Sequence, residues 1–220
     1  MAATMEEPAI TPSQRGERLG KVYYDQRWRL WALRILVVAV VVLILIAEPV
    51  WRSVSLIHKS IQFSGLALLI AAMLGRLWAT LYIGGRKNIS LMTSGPYSIT
   101  RNPLYVFSTM GSIGAGLMFG SLLLAGLLGL GVGIVLYATA RGEAVLLRRH
   151  FGSAYRHYAS RVPLFWPRPS LYQDAISPTF NPLTLKRALG DAVLFVLVIP
   201  VAGLIDLLRD TGMPSLFVIP

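Results

Sequence analysis

Long apolar runs separated by shorter polar segments make up most of this 220-residue chain. Three runs, at about residues 30–50, 61–83 and 188–208, each reach the roughly 20 residues that a helix needs to cross a bilayer. A fourth stretch, residues 103–140, is too long for one crossing, and Gly120-Ser121 marks a turn near its middle. The pattern predicts an all-α integral membrane protein with about five transmembrane helices. Two of them form a tight Gly-rich hairpin, whose glycines are expected to let helices pack closely.

The polar segments define the domain organisation. Residues 1–29 predict a polar tail that ends in a basic and aromatic stretch at the headgroup level of the bilayer. They contain no short apolar core with a small-residue cleavage site, so we expect no removable signal peptide. Residues 30–220 predict a single membrane domain. Within it, residues 141–187 predict an interfacial helix to about His150, a break at Phe151-Gly152, and a second short helix before a Pro-rich stretch.

Composition and charge support this layout and orient it. The chain is 55% hydrophobic and 14% charged, whereas about a quarter of the residues are charged in an ordinary soluble domain. With the N-terminus inside, the inner segments carry sixteen Lys and Arg residues and the outer segments three, a strong positive-inside bias. The N-terminus and residues 141–187 are therefore predicted to be cytoplasmic, and the short loops favour a bacterial inner membrane. The excess positive charge lies beside the spans, which indicates contact with membrane lipids and not with nucleic acid.

The available residue types exclude several chemistries. The chain has no cysteine, which rules out a thiol nucleophile, a disulfide and a Cys-ligated zinc site. His150 and His157 have no third ligand near them in sequence, so no metal site is predicted. No Ser/His/Asp arrangement offers a convincing nucleophile. The oligomeric state stays open.

The first polar segment precedes the hairpin and runs from Gly95 to Tyr105. Gly95-Pro96-Tyr97 predicts a turn, and Asn102-Pro103 predicts a helix N-cap followed by proline at the first helical position. The start of such a helix presents unpaired N–H groups and a positive dipole end, which favour an anion. Arg101 stands beside it and can hold a carboxylate through two hydrogen bonds. The alternative is a structural turn with Arg101 as an anchor among the lipid headgroups.

The second polar segment follows the hairpin and contains Glu143, the only acidic residue within residues 49–173. An ion pair with a neighbouring arginine is one interpretation, and a contact with a cationic group of a cofactor is the other. Tyr155, Tyr158 and Val162 follow the spacing of one helical face. That face is expected either to pack on the bilayer or to close over a pocket.

These two segments resemble the paired motifs of a family of membrane methyltransferases. Gly95-Pro96-Tyr97 followed by Arg101-Asn102-Pro103-x-Tyr105 is similar to the Gly-Pro-Tyr…Arg-His-Pro-x-Tyr motif of isoprenylcysteine carboxyl methyltransferases and phospholipid N-methyltransferases. Their second motif is similar to Glu143-x3-Leu147-x3-Phe151-Gly152-x2-Tyr155-x2-Tyr158, with Val162-Pro163 and Pro167 after it. The resemblance covers about residues 61–167.

The resemblance implies an all-helical membrane enzyme that uses S-adenosylmethionine. In this family the cofactor lies in a cytoplasmic-side pocket between the two motifs, and a lipophilic substrate enters from the bilayer. Carried onto this chain, the candidate cofactor-binding residues are Tyr97, Arg101, Asn102, Pro103, Tyr105, Glu143, Tyr155 and Tyr158. We expect methyl transfer to a prenylated carboxylate or to a phospholipid amine.

The chain departs from the family pattern at two positions. Asn102 replaces the usual histidine, and Ala144 replaces the second residue of a Glu-Glu pair. Asparagine cannot relay a proton near neutral pH, so we expect Asn102 to contact the cofactor and not to act as a base. A carboxylate nucleophile needs only a cation such as Arg141 or Arg101 for positioning, whereas an amine must lose a proton, for which Glu143 is the candidate acceptor. Arg141 and Glu143 are therefore the catalytic candidates, and both kinds of nucleophile stay open.

Two other functions also stay open. Membrane sterol reductases resemble the same Gly-Pro-Tyr…Arg-x-Pro region and use NADPH. Their second motif usually has an Asp-Glu pair and a Cys-bearing stretch, whereas this chain has Glu143-Ala144 and no cysteine. A non-enzymatic membrane scaffold would keep the fold and lose cofactor contacts, and Asn102 and Ala144 are substitutions of that kind.

Overall fold

Helices account for nearly all the regular structure. The structure, a computed structural model, describes residues 27–83, 91–174, 182–212 and 214–220. Its helices are α1 (Arg27–Ile46), α2 (Ser55–Ile83), α3 (Pro96–Ile99), α4 (Pro103–Met118), α5 (Leu122–Arg161) and α6 (Pro182–Asp210). Its other elements are the strands β1 (Ala47–Pro49) and β2 (Phe217–Ile219) and the 3₁₀ turns Val50–Ser53 and Pro169–Leu171. The predicted all-α class is confirmed, and the predicted tail lies outside the described residues except for its last three positions.

Within the described residues, three helices are long and apolar enough to cross a membrane: Arg27–Ile46, Leu56–Ile83 and Leu122–Arg161. They correspond to the predicted first span, second span and second arm of the hairpin, and they support an integral membrane protein. The first arm, α4, has 16 residues and extends about 24 Å. The last helix, α6, has 29 residues with Pro200 inside it. The predicted count of five spans is therefore not confirmed, although each predicted apolar segment contains a helix.

The hairpin of α4 and α5 turns where the sequence predicts. Gly120 lies in the turn with a φ of 72°, a left-handed conformation that glycine adopts without strain. The Ser121 side chain then caps α5 by accepting a hydrogen bond from Leu124 N at 3.2 Å. A Cβ on Gly114 of α4 would lie 2.9 Å from the Gly65 carbonyl oxygen of α2. The absence of side chains therefore lets helix backbones approach closely, as predicted.

α5 carries the chain from the hairpin turn to the second polar segment. About 20 residues from Leu122 suffice to cross the hydrocarbon core, so we expect the helix to leave it near Arg141 and its later turns to lie at the membrane surface. The helix breaks at Gly152, where φ is 54° and ψ is −120°. This is the break that Phe151-Gly152 predicts, and a last helical segment continues beyond it to Arg161.

The opposite end of the bundle is joined by contacts between distant parts of the chain. β1 and β2 pair in parallel, with Ala47 opposite Phe217. α1 therefore ends at Ile46, a few residues before the predicted end of the first span, because the next residues pair as a strand. The Pro220 carbonyl oxygen also accepts a hydrogen bond from Ser121 Oγ at 2.7 Å, beside the hairpin turn.

Candidate functional site

The segment after α5, residues 162–174, runs along the first polar segment and is termed the strap. Four hydrogen bonds of 2.7–2.9 Å join them: Arg101 N to Pro163 O, Arg168 N to Ile99 O, Gly95 N to Gln173 O, and Thr100 Oγ1 to Phe165 O. Because backbone groups along the whole strap take part, its path is fixed by the first polar segment. The two polar segments of the sequence therefore meet at one end of the bundle.

The first polar segment begins with the turn that its Gly-Pro-Tyr sequence predicts. Gly95 has a φ of 59° and a ψ of −131°, and a Cβ there would overlap the Tyr82 ring. The short helix α3 then buries Pro96, Tyr97 and Ser98. Tyr97 is only 7% exposed, so the tyrosine of the motif points into the protein and not into the headgroup layer.

Asn102 occupies the predicted N-cap position of α4, and Pro103 occupies the first helical position. The asparagine side chain makes no capping hydrogen bond; its Nδ2 atom donates to the Leu164 carbonyl oxygen of the strap at 2.9 Å. The helix therefore starts where predicted, but the amide holds the strap instead of the helix end. Cofactor contacts of Asn102 and Pro103 stay predictions.

Tyr155, Tyr158 and Val162 form one buried face at the end of α5. The Tyr158 hydroxyl donates to the Tyr97 carbonyl oxygen at 2.6 Å. The Tyr155 hydroxyl accepts a hydrogen bond from Arg101 Nη1 at 3.0 Å. The face predicted from the spacing is confirmed, and it closes on the first polar segment and not on the bilayer.

A second polar contact joins the two arms of the hairpin. The Tyr105 hydroxyl of α4 donates to Glu143 Oε1 of α5 at 2.8 Å. Within the described ranges, Glu143 makes no ion pair; the pairs found there involve other residues. The alternative of an ion pair with a neighbouring arginine is therefore not observed, and the carboxylate is held by a neutral hydroxyl.

Arg29, which neither motif contains, also contacts Tyr105. Its Nη1 atom lies 3.5 Å from the Tyr105 hydroxyl oxygen, at the limit of a hydrogen bond. It lies 76 positions before Tyr105, in α1. The only sequence signal for it is the basic and aromatic stretch before the first span.

Arg141 does not join the cluster formed by Tyr97, Arg101, Tyr105 and Glu143. It is exposed, and it precedes Glu143 by two positions on the same helix, which places it about 200° away around the helix axis. The catalytic role expected for Arg141 stays an untested prediction that its position does not favour. The predicted residues that the structure links through hydrogen bonds are Tyr97 with Tyr158, Arg101 with Tyr155, and Tyr105 with Glu143.

Two buried atoms of this cluster, Tyr97 OH and Arg101 Nε, have no hydrogen-bond partner among the described residues. Burial, together with the nearby Tyr105 and Glu143, raises the pKa of the Tyr97 hydroxyl, which therefore stays protonated and can donate. An unpaired buried donor costs about 1–3 kcal/mol of folding free energy, which a bound acceptor would recover. S-adenosylmethionine carries a carboxylate, an ammonium and a sulfonium, and a guanidinium, a carboxylate and phenol hydroxyls match these groups. The residues present therefore fit the cofactor that the resemblance implies.

Two bacterial proteins are similar to this chain along most of its length. The cobalt-zinc-cadmium resistance protein CzcN of Cupriavidus metallidurans is 36% identical over an alignment of 211 residues, which covers 94% of this chain and 96% of that protein. The nickel-cobalt-cadmium resistance protein NccN of Alcaligenes xylosoxydans xylosoxydans is 33% identical over 195 residues, 88% of this chain and 91% of that protein. No solved structure matches the chain significantly.

A family model identifies the wider group. The model of the phospholipid methyltransferase family matches residues 62–154, which include both arms of the hairpin, the first polar segment and Glu143. The matched range lies inside the range of the resemblance found in the sequence. The chain therefore belongs to the family of integral membrane methyltransferases that includes the phospholipid N-methyltransferases and the isoprenylcysteine carboxyl methyltransferases.

Proposed function

We propose that this protein is an S-adenosylmethionine-dependent methyltransferase that acts on a lipophilic acceptor at the cytoplasmic face of a bacterial inner membrane. The proposal rests on the cluster of Tyr97, Arg101, Tyr105 and Glu143. It brings together a guanidinium, a carboxylate and a buried hydroxyl that has no hydrogen-bond partner among the described residues. Family membership supports the reaction type, and the positive-inside bias supports the orientation.

Arg101 binds the carboxylate of the cofactor in this proposal, because Tyr155 holds its guanidinium in place and its buried Nε atom has no partner in the described part of the chain. Glu143 faces a cationic group, and the Tyr97 hydroxyl donates to an acceptor atom of the bound molecule. The cofactor, when bound, supplies a methyl group that is already electrophilic. The protein therefore has to align the acceptor and exclude water, and the strap serves the second task.

Both kinds of predicted acceptor are compatible with this cluster. A carboxylate acceptor needs no base, whereas an amine must lose a proton, and Glu143 is the group that takes it. Asn102 cannot take that proton, and its side chain already holds the strap. The base role therefore does not fall to the position where related enzymes usually have histidine.

The names of two relatives connect this branch of the family with metal resistance. We infer that this protein serves a similar resistance by modifying a membrane component. The chain has no cysteine, and the described residues contain no group of three or more His, Asp or Glu residues that could hold a metal ion. A methyl ester on an acidic lipophile would remove an anionic oxygen ligand for divalent cations at the membrane surface.

Calorimetry on the full chain purified in detergent tests the proposal. We expect saturable binding of S-adenosylmethionine and of its demethylated product. The Kd should rise about tenfold or more in Arg101→Gln or Glu143→Gln, because each removes a charge-assisted contact worth about 1.5–3 kcal/mol. Arg149→Gln changes an exposed arginine on the same helix as Glu143 and should leave the Kd unchanged. Binding of NADPH alone would identify a reductase instead, and binding of none of these molecules would favour a non-enzymatic scaffold.

A further inference from the structure

Arg29 links α1 to the proposed site through two successive hydrogen bonds, one from Arg29 to Tyr105 and one from Tyr105 to Glu143. A tyrosine hydroxyl has one proton, and Tyr105 gives it to Glu143 Oε1 at 2.8 Å. The lone pairs of the same oxygen therefore accept from Arg29, whose Nη1 atom lies 3.5 Å away. The order is a cation, a neutral hydroxyl and a carboxylate, contributed by α1, α4 and α5.

The guanidinium of Arg29 is suited to hold a second ligand beside Tyr105. It carries five N–H donors in a planar fork, so it can contact the hydroxyl and an oxyanion at the same time. Glu143 meets the hydroxyl and not the guanidinium, because no ion pair within 4.0 Å joins it to any described residue. The two opposite charges are therefore separated by a tyrosine.

Arg29 lies at the depth where lipid headgroups are found. It is the third residue of α1 and half-buried, and its neighbours Trp28 and Trp31 are 39% and 61% exposed. Exposed tryptophans at the end of an apolar helix mark the boundary between acyl chains and headgroups. An acidic group on a lipid tail is held at this level of the bilayer.

The charges of Arg29, Arg101 and Glu143 favour an anionic acceptor. Among the described residues that make these contacts, Arg29 and Arg101 are cations and Glu143 is the anion. The proposed cofactor adds an ammonium, a sulfonium and one carboxylate, which is a further net positive charge. An acceptor that carries an oxyanion is attracted to this site, whereas a purely cationic acceptor is repelled.

We propose that Arg29 determines acceptor specificity: it binds the anionic group of the methyl acceptor and places it against Tyr105 and Glu143. The ligand chemistry is an oxyanion on a lipophilic tail, supplied by either a carboxylate or a phosphodiester. This inference rests on the proposed function, which defines the acceptor. It goes beyond the family match, because Arg29 lies outside the matched residues 62–154.

Native mass spectrometry of the full chain with three lipid probes tests this role. Oleate supplies a carboxylate, dioleoylphosphatidylglycerol supplies a phosphodiester, and oleyl alcohol carries no charge. We expect the unmodified chain to bind at least one anionic probe about tenfold or more tightly than oleyl alcohol, which corresponds to about 1.4 kcal/mol. Arg29→Gln should lose this preference and Arg29→Lys should recover part of it. Arg34→Gln, which removes an exposed arginine of the same helix, should keep it in full.

The outcomes separate this inference from the proposed function. The anionic probe that binds identifies the source of the oxyanion, and Arg29→Gln should leave the Kd for S-adenosylmethionine within about twofold. An anion preference that survives Arg29→Gln, or that is missing from the unmodified chain, overturns the role of Arg29. So does a loss of cofactor binding in Arg29→Gln, which would place the residue in the cofactor site. Anion binding through Arg29 without any cofactor binding would contradict the proposed function and still support the anion site at Arg29.

Discussion

Asn102 stands where related enzymes usually have histidine, and its side-chain amide holds the Leu164 carbonyl oxygen of the strap. This bond joins residues that are 62 positions apart and ties the strap to the start of α4. Tyr158 and Tyr97 also differ in their hydrogen bonding. Tyr158 holds the Tyr97 carbonyl oxygen, whereas the Tyr97 hydroxyl is buried without a partner in the described part of the chain. The Tyr158 hydroxyl therefore has a structural role, whereas the Tyr97 hydroxyl is available to a ligand.

Two tyrosine variants distinguish these roles. Tyr97→Phe removes a buried hydroxyl that has no partner among the described residues, so the free energy of unfolding should stay constant or rise by up to about 1 kcal/mol, while the Kd for S-adenosylmethionine rises severalfold. Tyr158→Phe leaves the Tyr97 carbonyl oxygen buried without its donor, so the free energy of unfolding should fall by about 1–2 kcal/mol. Thermal unfolding in detergent and calorimetry measure the two quantities. A destabilised Tyr97→Phe variant with unchanged affinity would contradict the assignment.

The sequence predicted residues of the site where the signal was local. Tyr155 and Tyr158 share a face because they are three positions apart on a helix, and this periodicity is visible in the sequence. The contacts of Asn102 with Leu164 and of Arg29 with Tyr105 join residues 62 and 76 positions apart, so they depend on how the helices pack. A sequence pattern therefore predicts neither the contact of Asn102 with the strap nor the contact of Arg29 with Tyr105.

At the level of elements, glycine marks two places where the chain changes direction between the start of α4 and the end of α5. Gly120 and Gly152 have φ of 72° and 54°, and both breaks were predicted because glycine is the usual residue in such conformations. The end of α1 was predicted too late, because Ala47–Pro49 pair with a strand from the far end of the chain. Local composition predicts where helices turn, whereas strand pairing between distant segments leaves no local signal.

Gly152→Ala tests the break that directs the face of Tyr155, Tyr158 and Val162 towards the first polar segment. A φ of 54° with a ψ of −120° belongs almost only to glycine, so alanine should cost about 1–3 kcal/mol of folding free energy and weaken cofactor binding. Gly126→Ala is the matched control inside the same helix, and it should be neutral or stabilise by up to about 1 kcal/mol. A Cβ meets nothing within 4 Å at either position, so overlap cannot explain a difference. Equal melting temperatures of the two variants would show that the break is not a glycine requirement.

At the scale of the whole molecule, the polar segments meet at one end of the bundle and the paired strands lie at the other. The positive-inside bias predicts that the polar end is cytoplasmic. Because the chain has no cysteine, single cysteines report the orientation directly, and Lys59 and Ser160 are exposed at opposite ends. A membrane-impermeant maleimide should label Lys59→Cys in right-side-out inner-membrane vesicles and Ser160→Cys in inside-out vesicles. The reverse labelling pattern would place the proposed site on the outer face.

Transfer of a tritiated methyl group from S-adenosylmethionine into the lipid extract of membranes that contain the protein measures the proposed methyltransferase activity itself. We expect radioactivity in the lipid extract that increases with the amount of unmodified protein and is retained in Arg149→Gln. Glu143→Gln should lower the rate by about a hundredfold or more if an amine loses its proton to this carboxylate, and less for a carboxylate acceptor. Release of the label by mild alkali would identify a methyl ester, and retention would identify a methylated amine. No label above that of membranes without the protein, or equal incorporation with Glu143→Gln, would contradict the account.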